Sequence, residues 1–176
     1  MHYRFETLHP FLDGNGRLGR LLIVFYLVHA GCLPEPLLYV SSYFELHKST
    51  YHDRLQADRE TGDLEGWLRF FLGAIATQAN DAVNRAERLT DLREQFRGRL
   101  RGTRSRAHEL IDLLVQNPYL TTVGAARALS VTSQGATNLL KQLEKAEIVE
   151  SLPRVPGRSN RWVAREILDA LTGDIE

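Results

Sequence analysis

The sequence predicts a mostly α-helical chain made of two small domains, and three observations carry that expectation. Apolar residues recur at helical spacing through most of the chain, glycines and prolines fall between these runs, and strand-like pieces are confined to two short stretches near the C-terminus. A length of 176 residues suits one or two domains. With 43% apolar and 25% charged residues the chain can bury a core, which excludes disordered, collagenous and rod-like classes.

The first segment that reads clearly is HPFLDGNGRLGR, residues 9–20, where two glycines around Asn15 mark a tight loop. The apolar stretch that follows, to Ala30, reads as a buried helix stopped by Gly31 ahead of Pro34 and Pro36. From Pro36 to Ala57 an irregular start gives way to a helix with Phe44, Leu46, Tyr51 and Leu55 available to the interior, and Thr61-Gly62-Asp63 breaks it. Leu64, Trp67, Leu68, Phe71, Leu72 and Ile75 then define a long helix, or two, continuing more weakly to Leu92 and Phe96. The arginine-dense stretch RGRLRGTRSR, residues 97–106, reads as a solvated linker. The expected domains are therefore 1–98 and 107–176, joined by a linker at 99–106. In the second, helices are expected at about 105–116, 122–129 and 133–146. Strand-like pieces follow at Ile148 to Leu152 and Asn160 to Ala164, flanking a tip at residues 153–159, before a short helix at about 165–172. Three helices followed by a hairpin is the winged-helix order.

The longest apolar run, Leu21 to Val28, is eight residues, far short of the roughly 20 needed to span a bilayer. The start MHYRFET lacks the basic and apolar regions of a signal peptide, so a cytoplasmic location is the expectation, with no membrane partner. The single cysteine, Cys32, makes no internal disulfide, and its apolar neighbours suggest a small core residue. A formal net charge of zero conceals an uneven distribution: −2 over residues 1–98, +6 over 99–165 and −4 over 166–176. A basic segment inside a neutral chain is a modest signal for nucleic acid.

The loop at residues 13–16 points to phosphate chemistry. Successive N–H groups at Asp13, Gly14, Asn15 and Gly16 can turn inward as an anion nest, because glycine permits backbone shapes other residues resist. The helix that opens next adds its positive N-terminal end, with Arg17 and Arg20 on its first turn. Asp13 supplies the hard oxygen that Mg²⁺ prefers, and His9, with an ordinary pKa near neutrality, suits proton transfer. Gly-Asn-Gly by itself is most often a plain hairpin turn, so the tripeptide alone decides nothing.

The full segment HPFLDGNGRLGR resembles the signature HPFx[D/E]GNGRxxR of the Fic (Fido) family at every defined position. That resemblance implies a Fic helical core and an adenylyltransferase, which moves AMP from ATP onto a Ser, Thr or Tyr hydroxyl of a protein target. Carried over residue by residue, it makes His9 the catalytic base, Phe11 a core anchor for the loop and Asp13 the Mg²⁺ ligand. Gly14, Asn15, Gly16 and Arg17 would serve the phosphates, and Arg20 would position the terminal one. Tyr51, in a segment that also resembles the family, would help wall the adenine pocket, although aromatic residues at helical spacing are more often plain core. A complete family core carries further helices and a β-hairpin flap ahead of the signature, whereas eight residues precede His9 here. The expectation is a partial Fic core without the flap, impaired in holding its target, with exposed apolar helix faces and self-association.

Residues 107–171 resemble the winged-helix domain often found after a Fic core. The expected third helix turns Leu139, Leu140 and Leu143 inward and leaves Ser133, Gln134, Thr137, Asn138 and Lys141 outward, types able to contact base edges or phosphates. Arg158 and Arg161 would add wing contacts to DNA. The competing expectation is a non-enzymatic regulator that binds DNA or protein through the winged helix, with the Fic part only holding nucleotide.

Overall fold

A computed structural model describes residues 1–102, 105–157 and 159–172. The described residues are mostly helical and divide into two compact units, Met1–Val83 and Asn84–Glu176.

The first unit starts with α1 (His2–Leu8) and α2 (Asn15–His29). Gly14, at φ 82°, is the N-cap of α2; Ala30 closes it and Gly31, at φ 71°, turns the chain away. Glycine is needed at both turns because L side chains resist positive φ. Next come α3 (Val40–Leu46) and α4 (Lys48–Thr61), where the sequence suggests one helix. The break at His47 shifts the helical phase, so Leu46 is 76% exposed rather than interior, while Phe44 and Tyr51 are buried. Gly62, left-handed, stops α4, and Asp63 accepts the N–H of Gly66 at 2.9 Å to start α5 (Leu64–Arg99), a single unbroken helix. Ile23 and Val24 of α2, Leu38, Val40, Phe44, Tyr51, Trp67 and Ala74 form the core.

Two expectations fail in this unit. The apolar run of α2 is not buried throughout, since Leu18, Leu21, Phe25 and Tyr26 are exposed and only one stripe of the helix meets the core. Cys32 is exposed too, in the turn that follows Gly31.

The second unit begins inside α5, at Asn84, ahead of the arginine-dense stretch at 97–106. Leu89, Leu92, Phe96 and Leu100, spaced by three and four residues, pack into the second core. Three of the arginines there are structural: Arg97 pairs with Asp112 at 3.2 Å, and Arg99 holds both oxygens of Glu166 at 2.6 and 2.9 Å. Arg106 reaches Glu109 at 2.6 Å and the Leu129 carbonyl at 2.8 Å. Thr103 and Arg104 of the expected linker lie outside the described residues.

The remaining elements are α6 (Ala107–Gln116), β1 (Tyr119–Thr121), α7 (Thr122–Leu129), α8 (Ser133–Lys145), β2 (Glu150–Ser151), β3 (Arg161–Val163) and α9 (Arg165–Thr172). Thr121 caps α7 through the N–H of Gly124 at 2.9 Å, and Thr132 caps α8 through that of Gly135 at 3.1 Å. The strands form an antiparallel sheet in the order β1-β3-β2, with Leu120 and Ser151 both opposite Trp162. β1 is absent from the sequence reading because three residues give too few alternations to stand out. Leu110, Ile111, Leu114, Leu140, Leu143 and Ile167 are fully buried beneath the sheet residue Trp162.

Candidate active site

The site is built where α1 hands over to α2. His9 caps α1 in the left-handed region at φ 45°, a conformation histidine tolerates better than branched residues, and its N–H donates to the Phe5 carbonyl at 3.1 Å. Between His9 and α2 the chain is held by Asn15, which is buried. Its Oδ1 accepts the Phe11 N–H at 2.9 Å, and its Nδ2 donates to the Phe11 carbonyl at 2.5 Å. The Asn15 side chain therefore clamps the loop, leaving the first-turn N–H groups of α2 at this end. Phe11 is 51% exposed, with its ring beside Phe5, so the loop is seated through Phe11's backbone and not through a buried ring.

Arg17 and Arg20 leave the first turns of α2 in different settings. Arg17 is exposed and pairs with Asp13 at 3.3 Å. Arg20 is half-buried; its Nε donates to the Ser41 hydroxyl of α3 at 3.2 Å. Its Nη1 lies 3.1 Å from where a Cβ on Gly16 would stand, so Gly16 gives the guanidinium room to lie over the start of the helix. Gly14 and Gly16 thus have separate reasons to be glycine, the first conformational and the second steric.

His9 opens onto a cleft of about 490 Å³ shared with Glu6, Tyr51, His52, Gln56 and Arg59. Tyr51 belongs mainly to the core: its ring meets Phe44 and Trp67, and its hydroxyl is hydrogen-bonded to His2 Nε2 across 3.0 Å. Burial pushes the Tyr51 hydroxyl above its ordinary pKa. Burial likewise lowers His2 to about 4, so the imidazole is neutral at ordinary pH. Glu6 is raised, again mainly by burial, against the opposing charges of Arg20, His9 and His52. One Glu6 oxygen, Oε1, is buried against Gly19, only 2.2 Å from where a Cβ there would stand. Gly19 is therefore the notch that lets α1 lie against α2.

Asp13 offers one carboxylate, 91% exposed and shared with Arg17. Among the described residues no group of three His, Cys, Asp or Glu side chains is arranged to hold a metal ion. A Mg²⁺ ion suits this donor set only as phosphate-bound Mg²⁺, with one carboxylate and the rest of its shell from substrate oxygens and water.

In the second unit the predicted surface residues lie on α8 and the neighbouring strand. Ser133, Gln134, Asn138 and Lys141 are exposed, while Thr137 is half-buried with its hydroxyl donating to the Ser133 carbonyl at 2.9 Å. Gln134 Nε2 donates to Asn138 Oδ1 at 3.2 Å. Arg161 is exposed at the start of β3; Arg158 lies outside the described residues.

Sequence reasoning missed Glu6 and Ser41. Glu6 falls three residues before His9 with no motif to mark it, and Ser41 meets Arg20 from 21 residues away, beyond any local spacing.

Residues 1–27 match the family model described as the Fic/DOC family. A protein adenylyltransferase Fic of Aedes aegypti is 39% identical over 69 residues, covering 39% of this chain and 12% of that protein. Protein adenylyltransferase fic-1 of Caenorhabditis briggsae is 30% identical over 97 residues, covering 49% of this chain and 18% of the relative. A Drosophila grimshawi adenylyltransferase Fic is 36% identical over 69 residues, covering 39% and 13%. The matches span less than a fifth of each of these relatives. Over its N-terminal segment, the chain is similar to Fic domain proteins.

Proposed function

We propose that the first unit transfers AMP from ATP to a hydroxyl of a protein target. The observation that carries this reading is the clamped loop: Asn15 closes residues 11–15 on themselves, and Gly14 turns them into the N-terminus of α2, beside Arg17 and Arg20. Such an end, with free N–H donors and a partial positive charge, is suited to a phosphate chain. In the reaction the target's hydroxyl oxygen bonds to the α-phosphorus and the bond from that phosphorus to the β-phosphate bridging oxygen breaks. Pyrophosphate leaves, and His9 takes the hydroxyl proton. Arg20 holds the terminal phosphate, Gly14, Gly16 and Arg17 the others, and the ring of Tyr51 borders the cleft on the base side. Asp13 would hold Mg²⁺, which neutralises phosphate charge when bound. The names of the relatives, all protein adenylyltransferases, support the same chemistry. Incubation with ATP labelled at the α-phosphate, Mg²⁺ and a cell lysate is expected to label protein, whereas label transferred only from the γ-position would replace this reading with phosphoryl transfer.

A second proposal concerns the other unit, read as a winged helix that binds DNA. Its support is the order helix, strand, helix, helix, hairpin, together with the exposed Ser133, Gln134, Asn138 and Lys141 on α8 and Arg161 on β3. Helix α8 starts immediately at the Thr132 cap, so Ser133 and Gln134 occupy the end that motifs of this kind present to a groove. A mobility-shift series is expected to show affinity falling steeply with salt. A salt-independent interaction would favour protein docking by the same surface. No helix among the described residues is long and apolar enough to cross a membrane, and a cytoplasmic setting is part of this proposal.

A further inference from the structure

We propose that Ser41 is a positioning residue for Arg20, fixing its guanidinium so that this arginine separates nucleotides with a phosphate tail from those without one. The inference rests on the phosphate-binding reading of the loop and goes beyond it by adding a residue outside the signature.

An arginine on a helix has several rotatable bonds, and holding it in one arrangement costs side-chain entropy unless a partner has already ordered it. Arg20 has three such partners. The Ser41 hydroxyl, carried on α3, takes the Nε hydrogen bond at 3.2 Å. The bare Gly16 accepts the guanidinium against the first turn of α2, with Nη1 3.1 Å and Nη2 3.9 Å from the position of a Cβ. The half-buried Glu6, with Oε1 wedged against Gly19, adds an opposite charge that attracts the same guanidinium. Of the three, Ser41 alone makes a directional hydrogen bond to the inner nitrogen. With Nε tied, the two outer nitrogens form the edge left for a ligand, and this is the bidentate edge with which arginine grips phosphate. Ser41 also joins α3 to α2, so the order of Arg20 depends on a second element.

The test compares ATP and AMP binding by calorimetry on the full chain as Arg20→Ala, Ser41→Ala, Ser41→Thr and the double variant Arg20→Ala/Ser41→Ala. Ser41→Ala is expected to weaken ATP roughly fivefold, the scale of a typical intramolecular hydrogen bond, with AMP unchanged within about twofold. Ser41→Thr, which retains the hydroxyl, restores ATP affinity. The double variant is no weaker than Arg20→Ala, because Ser41 acts only through the arginine. Equal losses for both nucleotides, no loss for either, failure of threonine to rescue, or additive losses in the double variant would overturn the proposal. If Arg20→Ala itself does not separate ATP from AMP, the phosphate reading falls and this inference with it. If Arg20→Ala separates them and Ser41→Ala does not, the reading survives and the role of Ser41 alone is lost.

Discussion

The two units of the chain spend their buried volume differently. Among the described residues, seventeen apolar residues form the buried core of the second, almost all of them Leu, Ile, Val or Ala, and ten lie on the short helices α6 to α9. Eight form that of the first, and their neighbours include buried His2 and Asn15 and the half-buried Glu6 and Arg20. Buried polar groups weaken a core unless they are paired, so the first unit gives up packing to hold a loop and an arginine in place. The difference teaches where chemistry sits: polar burial collects around residues 2–20, while in the second unit Thr122 is the one buried polar residue among the described residues.

The widest expected contrast is in activity. His9→Asn should lower AMP transfer by about 10² to 10⁴, while leaving the unfolding of both units unchanged. Asparagine is chosen because it accepts the left-handed backbone found at His9. Transfer at the wild-type rate would remove His9 from the reaction.

The next contrast is in stability. Leu140, fully buried, anchors the second core, and Leu140→Ala should cost about 3 kcal/mol there. Trp67 lies in the first unit and Trp162 in the second, so single-tryptophan variants follow each transition separately. The Trp162 transition should move and the Trp67 transition stay. Movement of both would show that the division at Val83 and Asn84 does not separate two cooperative units.

Acid should act on the first unit. The folded pKa of His2, about 4, lies below the ordinary histidine value of 6.5, so the unfolded chain binds the proton more readily. The stability this group provides is full above pH 6.5 and is lost as the pH falls towards 4, by up to about 3 kcal/mol. Glu6 opposes this, because its raised folded pKa makes the unit gain stability on acidification through that range. Chemical denaturation followed at Trp67 should therefore show a steeper acid loss in Glu6→Gln than in wild type, and a shallow one in His2→Gln. A His2→Gln profile matching wild type would mean that another group carries the effect.

The smallest expected effect is at Gly14. Its φ of 82° strains any other residue, although a Cβ there would only touch Arg17 Nη2 at an ordinary 3.5 Å. Gly14→Ala should cost about 1 kcal/mol, all of it from the backbone, seen as a small shift at Trp67 with none at Trp162. A loss several times larger would show that the loop is packed more tightly than the open contact implies.

Much of this was legible in the chain itself. The glycine stops at Gly31 and Gly62, the loop before α2, and the order of elements after residue 106 follow from local rules, because caps and turns are decided within four or five residues. The signature also singled out His9, Asp13, Arg17 and Arg20. Other features depended on distant partners. The arginines of residues 97–106 resemble a solvated linker until Asp112, Glu109 and Glu166 are brought to them. Leu46 and Phe11 have the right residue type for a core but the wrong phase or backbone path.

Residue identity and spacing by themselves determined the helical class of this protein, its turns and the chemical character of the loop at residues 9–20. Those properties arise from torsional preference and from neighbours a few residues apart. Only the tertiary structure decided that Ser41 meets Arg20 and that α5 enters the second core. Each of those contacts depends on which surfaces of separate elements come together, and side-chain hydrogen bonds and packing act only over a few ångströms of space, whatever the distance along the chain.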